Sequence, residues 1–156
     1  MISALLIATV SATTFRYMYI DGSITVGGAK LIWILGDDAP GDASLAGSTA
    51  TLDLNVEQGT PLNFTEALFL KNNSTASADI NITITNAVLS GDFERAKMHI
   101  NQNSSGSWLY VDTLDLTDSN DFYADSLAAG NYLRMTFEVN ATLATGTKAF
   151  DIQVEY

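Results

Sequence analysis

The feature that most constrains this chain is a strict alternation of apolar and polar side chains over long runs. Across Asn131–Leu143 one face reads Leu133, Met135, Phe137, Val139, Ala141, Leu143, and the other reads Arg134, Thr136, Glu138, Asn140, Thr142. Successive strand side chains point to opposite faces, so a period of two marks a half-buried strand, whereas a helix repeats every 3.6 residues. Thr147–Tyr156 repeats the pattern, with Phe150, Ile152, Val154 and Tyr156 on the apolar side. So do Asp79–Thr85, through Ile80, Ile82 and Ile84, and Thr51–Val56, through Leu52, Leu54 and Val56. Further strands are expected at Leu62–Lys71, Ala96–Asn101 and Ser107–Asp112. Turn residues separate them, among them Asp37-Asp38-Ala39-Pro40-Gly41, Gln58-Gly59-Thr60-Pro61, Lys71-Asn72-Asn73 and Gly130-Asn131. Gly91–Met98 and Ser119–Ala129 stay open between strand and helical turn. Short strands at this spacing predict an all-β, antiparallel, jelly-roll-like sandwich.

Charge narrows the function. The 156 residues hold 7 Lys+Arg against 18 Asp+Glu, a net −11. A nucleic-acid binder needs a basic stripe, and a peripheral binder of anionic membranes needs basic clusters, so neither partner is expected. Disorder is excluded by 47% hydrophobic and only 16% charged residues. With no cysteine there are no disulfides, Cys-zinc sites or thiol nucleophiles. Ser, Thr and Asn supply the polar surface, as on many secreted β-rich proteins.

The catalytic inventory is thin. The one histidine, His99, lies on the polar side of Ala96–Asn101, where a solvated side chain is the expected state. No His-Glu-x-x-His, Gly-x-Ser-x-Gly or phosphate-loop pattern is present. No catalytic residue, cofactor site or metal ligand is assigned, and no enzymatic activity is expected. Acidic clusters at Asp37/Asp38/Asp42, Asp112/Asp115 and Asp118/Asp121/Asp125 offer hard oxygen donors, so calcium is carried as a minority expectation beside solvated acidic loops. Asn-x-Ser/Thr acceptors occur at Asn63, Asn72, Asn73, Asn81, Asn103 and Asn140. All six are expected outside the core: Asn81 and Asn140 on outward faces, Asn72, Asn73 and Asn103 in turns.

The N-terminal region differs in character. Met1–Gly36 carries Arg16 and Lys30 against Asp21, a net +1, so Asp37–Tyr156 carries −12. Met1–Ala12 is apolar and ends in small residues like the tail of a signal peptide, yet no basic stretch precedes it. Both a mature segment and a signal-peptide remnant fit, and the first is carried forward. It is too short for a membrane-spanning helix, which needs about 20 apolar residues. Ile2–Val26 is rich in β-branched and aromatic residues and reads as one or two strands. Such a strip pairs within its own sandwich or enters a groove of the next copy. In the second case Ile2, Leu5, Leu6, Ile7, Val10, Phe15 and Tyr17 form the polymer interface, and a head-to-tail contact that does not close makes a filament.

Ser48–Leu54 (S-T-A-T-L-D-L), the Asn72-Asn73-Ser74 turn, and Leu127–Tyr156 (L-A-A-G-N-Y-L-R-M-T-F-E-V-N-A-T-L, then F-D-I-Q-V-E-Y) resemble the TasA/camelysin family of secreted fibre proteins. The similarity is nearest to the archaeal bundling-pilus subunits of hyperthermophiles. It implies an extracellular jelly-roll subunit, with a donor strand at 1–14 (extending as far as 26) and a sandwich at 15–156, that polymerises with copies of itself and bundles into biofilm pili. Related archaeal tubule proteins bind calcium between subunits. The metallopeptidase activity described for camelysins is not carried over, because no ligand set matches. The alternative is a monomeric secreted or cell-surface β-sandwich that binds carbohydrate or protein, with or without calcium.

Overall fold

The computed structural model describes residues 30–156; the donor-strand candidates Ile2, Leu5, Leu6, Ile7, Val10, Phe15 and Tyr17 lie outside them. Ten strands follow in order: β1 (Leu31–Leu35), β2 (Ser44–Ala46), β3 (Thr49–Val56), β4 (Leu62–Asn72), β5 (Ala78–Asn86), β6 (Phe93–Ser104), β7 (Ser107–Asp115), β8 (Phe122–Leu127), β9 (Tyr132–Ala141) and β10 (Gly146–Glu155). A 3-10 turn, Ser90–Asp92, precedes β6. The strands form two five-stranded sheets, ordered β1-β4-β9-β6-β7 and β2-β3-β10-β5-β8. Every strand pairing is antiparallel. Because β3, β4, β5 and β6 alternate between sheets, as do β8, β9 and β10, the chain wraps around one core in a jelly-roll-like sandwich. No helix among the described residues is long and apolar enough to cross a membrane.

The alternation predicts the core faces directly. Leu133, Met135, Phe137, Val139 and Ala141 of β9 are buried, as are Phe150, Ile152 and Val154 of β10, and the Phe137 and Phe150 rings meet across the sheets at 5.4 Å. Leu143 and Tyr156, assigned inward from the pattern, are 71% and 57% exposed. Each lies one or two residues beyond its strand's end, where the pleat no longer dictates direction. Both ambiguous segments are largely extended: Ser119–Ala129 contains β8, with Tyr123 and Leu127 inward, and Gly91–Met98 runs from the short turn into β6.

Two short strands carry no alternation long enough to predict them. β1 is held by its register with β4, where Leu31 pairs with Asn72 and Leu35 with Leu68, and by Trp33, whose Nε1 donates to the Ser48 carbonyl of the other sheet (2.9 Å). The chain leaves β1 through Gly36, which donates to the Ala67 carbonyl at 2.9 Å. A Cβ at Gly36 would lie 1.6 Å from the Glu66 carbonyl oxygen, so only glycine permits this approach.

Candidate functional site: an aromatic face on one sheet

The register lays out the outer face of the β1-β4-β9-β6-β7 sheet row by row. One row crosses Ile34, Phe69, Arg134, Asn101 and Tyr110. Beside it, Ile32, Lys71 and Tyr132 approach the Asn103–Trp108 pair of the β6–β7 hairpin. Further along, His99 sits between Thr136 and Thr113, and Lys97 between Glu138 and Asp115. Period two therefore puts aromatic and cationic side chains on the face opposite the core.

At the Phe69–Trp108 end this face holds an open groove of about 310 Å³ lined by Ile34, Phe69, Asn103, Trp108 and Tyr132. The Phe69 and Trp108 rings are 6.0 Å apart, tilted by 45°. The Arg134 guanidinium lies 4.6 Å from the Trp108 ring centre, and Lys71 Nζ lies 5.2 Å from that of Tyr132, both within cation–π range. Arg134 Nη1 stands 3.6 Å from Glu66 Oε1, and its buried Nε has no acceptor. Half-buried tryptophan and tyrosine rings with one amide beside them suit a ligand that is apolar on its face and polar at its edge.

His99 is more engaged than a solvated side chain. Its Nδ1 shares a 2.6 Å hydrogen bond with Thr113 Oγ1, which is 3.1 Å from the Tyr110 hydroxyl, and its Nε2 is 3.5 Å from Glu138 Oε2. The other Glu138 oxygen accepts from Arg95. That hydrogen bond, helped by the Arg95 charge, holds the Glu138 carboxyl below its ordinary value. Burial alone would raise the Asp115 carboxyl, but hydrogen bonds from Lys97 and Thr117 bring it below the usual range. Between the edges of β7 and β8, burial and the hydrogen bond to Asp125 Oδ2 (2.9 Å), with the nearby Asp112 charge, push the Tyr123 hydroxyl upward.

Several carboxylates of the acidic clusters accept hydrogen bonds from nearby backbone amides. Asp38 Oδ2 accepts from the Thr65 amide (2.6 Å), Asp118 Oδ1 from Asn120 (2.9 Å), and Asp121 Oδ2 from the Asp115 amide (2.6 Å). Among the described residues no three His, Asp or Glu side chains converge as metal ligands. The glycosylation candidates divide by exposure. Asn63 and Asn73 are exposed, while Asn81, Asn103 and Asn140 are half-buried, Asn103 within the groove. Asn72 corrects the expectation of an exposed turn, because it is 0% exposed. Its Nδ2 donates to the Ala76 and Leu127 carbonyls (2.9 and 2.8 Å), and its Oδ1 accepts from the Ser74 amide and hydroxyl (3.0 and 2.7 Å). The amide is consumed by the fold, which leaves no room for a glycan. Alternation could have located the aromatic face, since Phe69, Tyr132 and Arg134 share one phase; only the register shows that Trp108 joins them.

No family model matches the sequence, and no curated protein matches it. Solved structures similar to the chain include a point mutant of a family 29 carbohydrate-binding module, at 12% identity and TM-score 0.35, covering 80% of this chain and 92% of that one. A GH31 CBM32-2 module bound to GalNAc is similar at 12% identity and TM-score 0.40, covering 83% and 99%. Murine APRIL is similar at 10% identity and TM-score 0.35, covering 79% and 97%. At TM-scores this low neither family nor ligand carries over, and the site stands on its own geometry.

Proposed function

We propose that this chain is a non-catalytic, extracellular β-sandwich module that binds carbohydrate on the outer face of the β1-β4-β9-β6-β7 sheet. The observation that supports it is the groove in which Phe69, Trp108 and Tyr132 stand together with Asn103 at the rim. A pyranose ring has apolar C–H faces and a hydroxyl edge, so its face stacks on an aromatic ring while its hydroxyls reach amides and cations. Stacked bases would fit the same rings, but a net charge of −11 disfavours a phosphate backbone. The test is a glycan array followed by calorimetry on the best ligand. Trp108→Ala is expected to weaken binding at least tenfold, by analogy with truncation of an aromatic anchor at an interface. Undiminished binding by a folded Trp108→Ala protein would sink the assignment.

A second reading, a filament subunit that polymerises by strand donation, is favoured by one observation. The nine-residue strand β7 is a sheet edge with no outer partner among the described residues. Its Ser107–Val111 half bears no charge and exposes Leu109 and Tyr110 by 55% and 63%. Unblunted edges of this kind accept an added strand. By contrast, β8 carries Asp125 beside its inward Tyr123, and β2 has only three residues. Negative-stain microscopy of the full chain tests it: filaments that vanish on removal of residues 1–14 and in Leu109→Lys support strand donation, and their absence from the full chain refutes it.

A further inference from the structure

Cations are unevenly placed on this acidic molecule. Of the seven Lys and Arg in the chain, Lys71, Arg95, Lys97 and Arg134 all lie on the outer face of the groove-bearing sheet. Among the described residues, the opposite outer face presents Asp53, Asp79, Asp151 and Glu155 at its outward register positions and no Lys or Arg.

The four cations also differ in how they are neutralised. Arg95 is hydrogen-bonded to Glu138, and Lys97 Nζ to Asp115 Oδ2 at 2.5 Å. The two beside the groove lack such pairing. Lys71 has no carboxylate within 4.0 Å among the described residues, and Arg134 has only Glu66 at 3.6 Å, beyond hydrogen-bond reach. With 18 carboxylates in the chain, two under-neutralised cations at one groove single it out as the place where incoming negative charge is favoured. Both stand over rings that line or border the groove, within 4.6 and 5.2 Å of the Trp108 and Tyr132 centres.

We infer that the ligand of this groove is an acidic saccharide, a uronic-acid oligomer whose ring face stacks on Trp108 or Tyr132 while its carboxylate meets Lys71 and Arg134. This rests on the carbohydrate reading above and names its substrate class. A uronate sets one carboxylate at the edge of each pyranose ring, so a sugar in the groove can turn its face to a free part of the aromatic lining and its carboxylate to the cations seated over Trp108 and Tyr132.

The experiment uses the full chain on an array of galacturonate, glucuronate, mannuronate and guluronate oligomers beside their methyl-esterified counterparts. The ester keeps the skeleton and removes the charge. At least one free acid is expected to bind tenfold or more tighter than its ester, and raising salt from 50 to 500 mM should erase most of that preference, because partly exposed charges are screened. Lys71→Met should cut the preference at least fivefold. Lys97→Met, on the same face but away from the groove, should leave it unchanged. Acid and ester binding equally overturns the acidic class while the carbohydrate reading stands. If neither acid nor neutral glycans bind, both are overturned. A Lys71→Met change that alters only sedimentation of the protein would assign the cations to contacts between copies and overturn the inference.

Discussion

Replacing Asn72 tests how completely a turn residue has been absorbed into the core. Asn72→Ala removes two hydrogen bonds to carbonyls and two from Ser74. Ser74 is half-buried and can turn toward water, and the Ala76 carbonyl keeps its 2.7 Å bond from Ser74 Oγ. The Leu127 carbonyl loses its side-chain donor in a buried place, which costs about 1–3 kcal/mol. The two bonds from Ser74 add roughly 0.5–1 kcal/mol each, so the total is about 3 kcal/mol. For a domain of this size that lowers Tm by roughly 10 °C. Urea unfolding followed by the fluorescence of Trp33 and Trp108 measures it, with the midpoint moving and the slope unchanged. Asn72→Asp sharpens the result: its carboxylate still accepts from Ser74 but offers no proton to Leu127 or Ala76, so it should destabilise more at pH 7 than at pH 4. In a glycosylating host, mass spectrometry should find Asn72 bare. An Asn72→Ala protein within 1 kcal/mol of the parent would refute the reasoning, as would a folded chain glycosylated there.

Other outcomes follow from the same geometry. Gly36→Ala forces a Cβ against the Glu66 carbonyl and should detach β1 from the centre of β4; amide exchange at Trp33–Leu35 should rise by at least tenfold. The Asp115 and Glu138 carboxyls lie below their ordinary values, so the stability they add is present above pH ~4 and is lost as pH falls through the lower folded values. Urea midpoints of Asp115→Asn and Glu138→Gln measured from pH 2.5 to 6 should therefore fall less steeply with acid than those of the parent. Tyr123 moves the other way: its raised value means stability declines as pH climbs above ~10, and Tyr123→Phe should flatten that alkaline limb in thermal melts.

Much of the fold was legible because a strand's pleat writes itself into the residue order. The alternations in β3, β5, β9 and β10 identified both the strands and their buried faces, since a half-buried antiparallel sheet leaves each residue a choice of only two sides. The pattern failed where that binary choice ends. Leu143 and Tyr156 lie past their strands, β2 is a three-residue arm of a tight hairpin with β3, and β1 is short and held by a partner distant in sequence, Leu68–Asn72.

The polar face follows the same division. Phase alone put His99 and Arg134 outward, but it could not say which strands are neighbours. Only the sheet order brings Trp108 of β7 across to Arg134 of β9 and Phe69 of β4, because those contacts run perpendicular to the chain and depend on register. Asn72 makes the point in reverse. Beside Asn73 and Ser74 it has the composition of an exposed turn, yet the Leu127 carbonyl, 55 residues away, draws its amide inside. The order of residues determined an acidic, cysteine-free, all-β sandwich and the outward phase of its polar side chains. Tertiary structure decided which of them meet in a groove and which are spent on the fold, because hydrogen bonds and ring contacts depend on separation in space, which residue order leaves open until the sheets are paired.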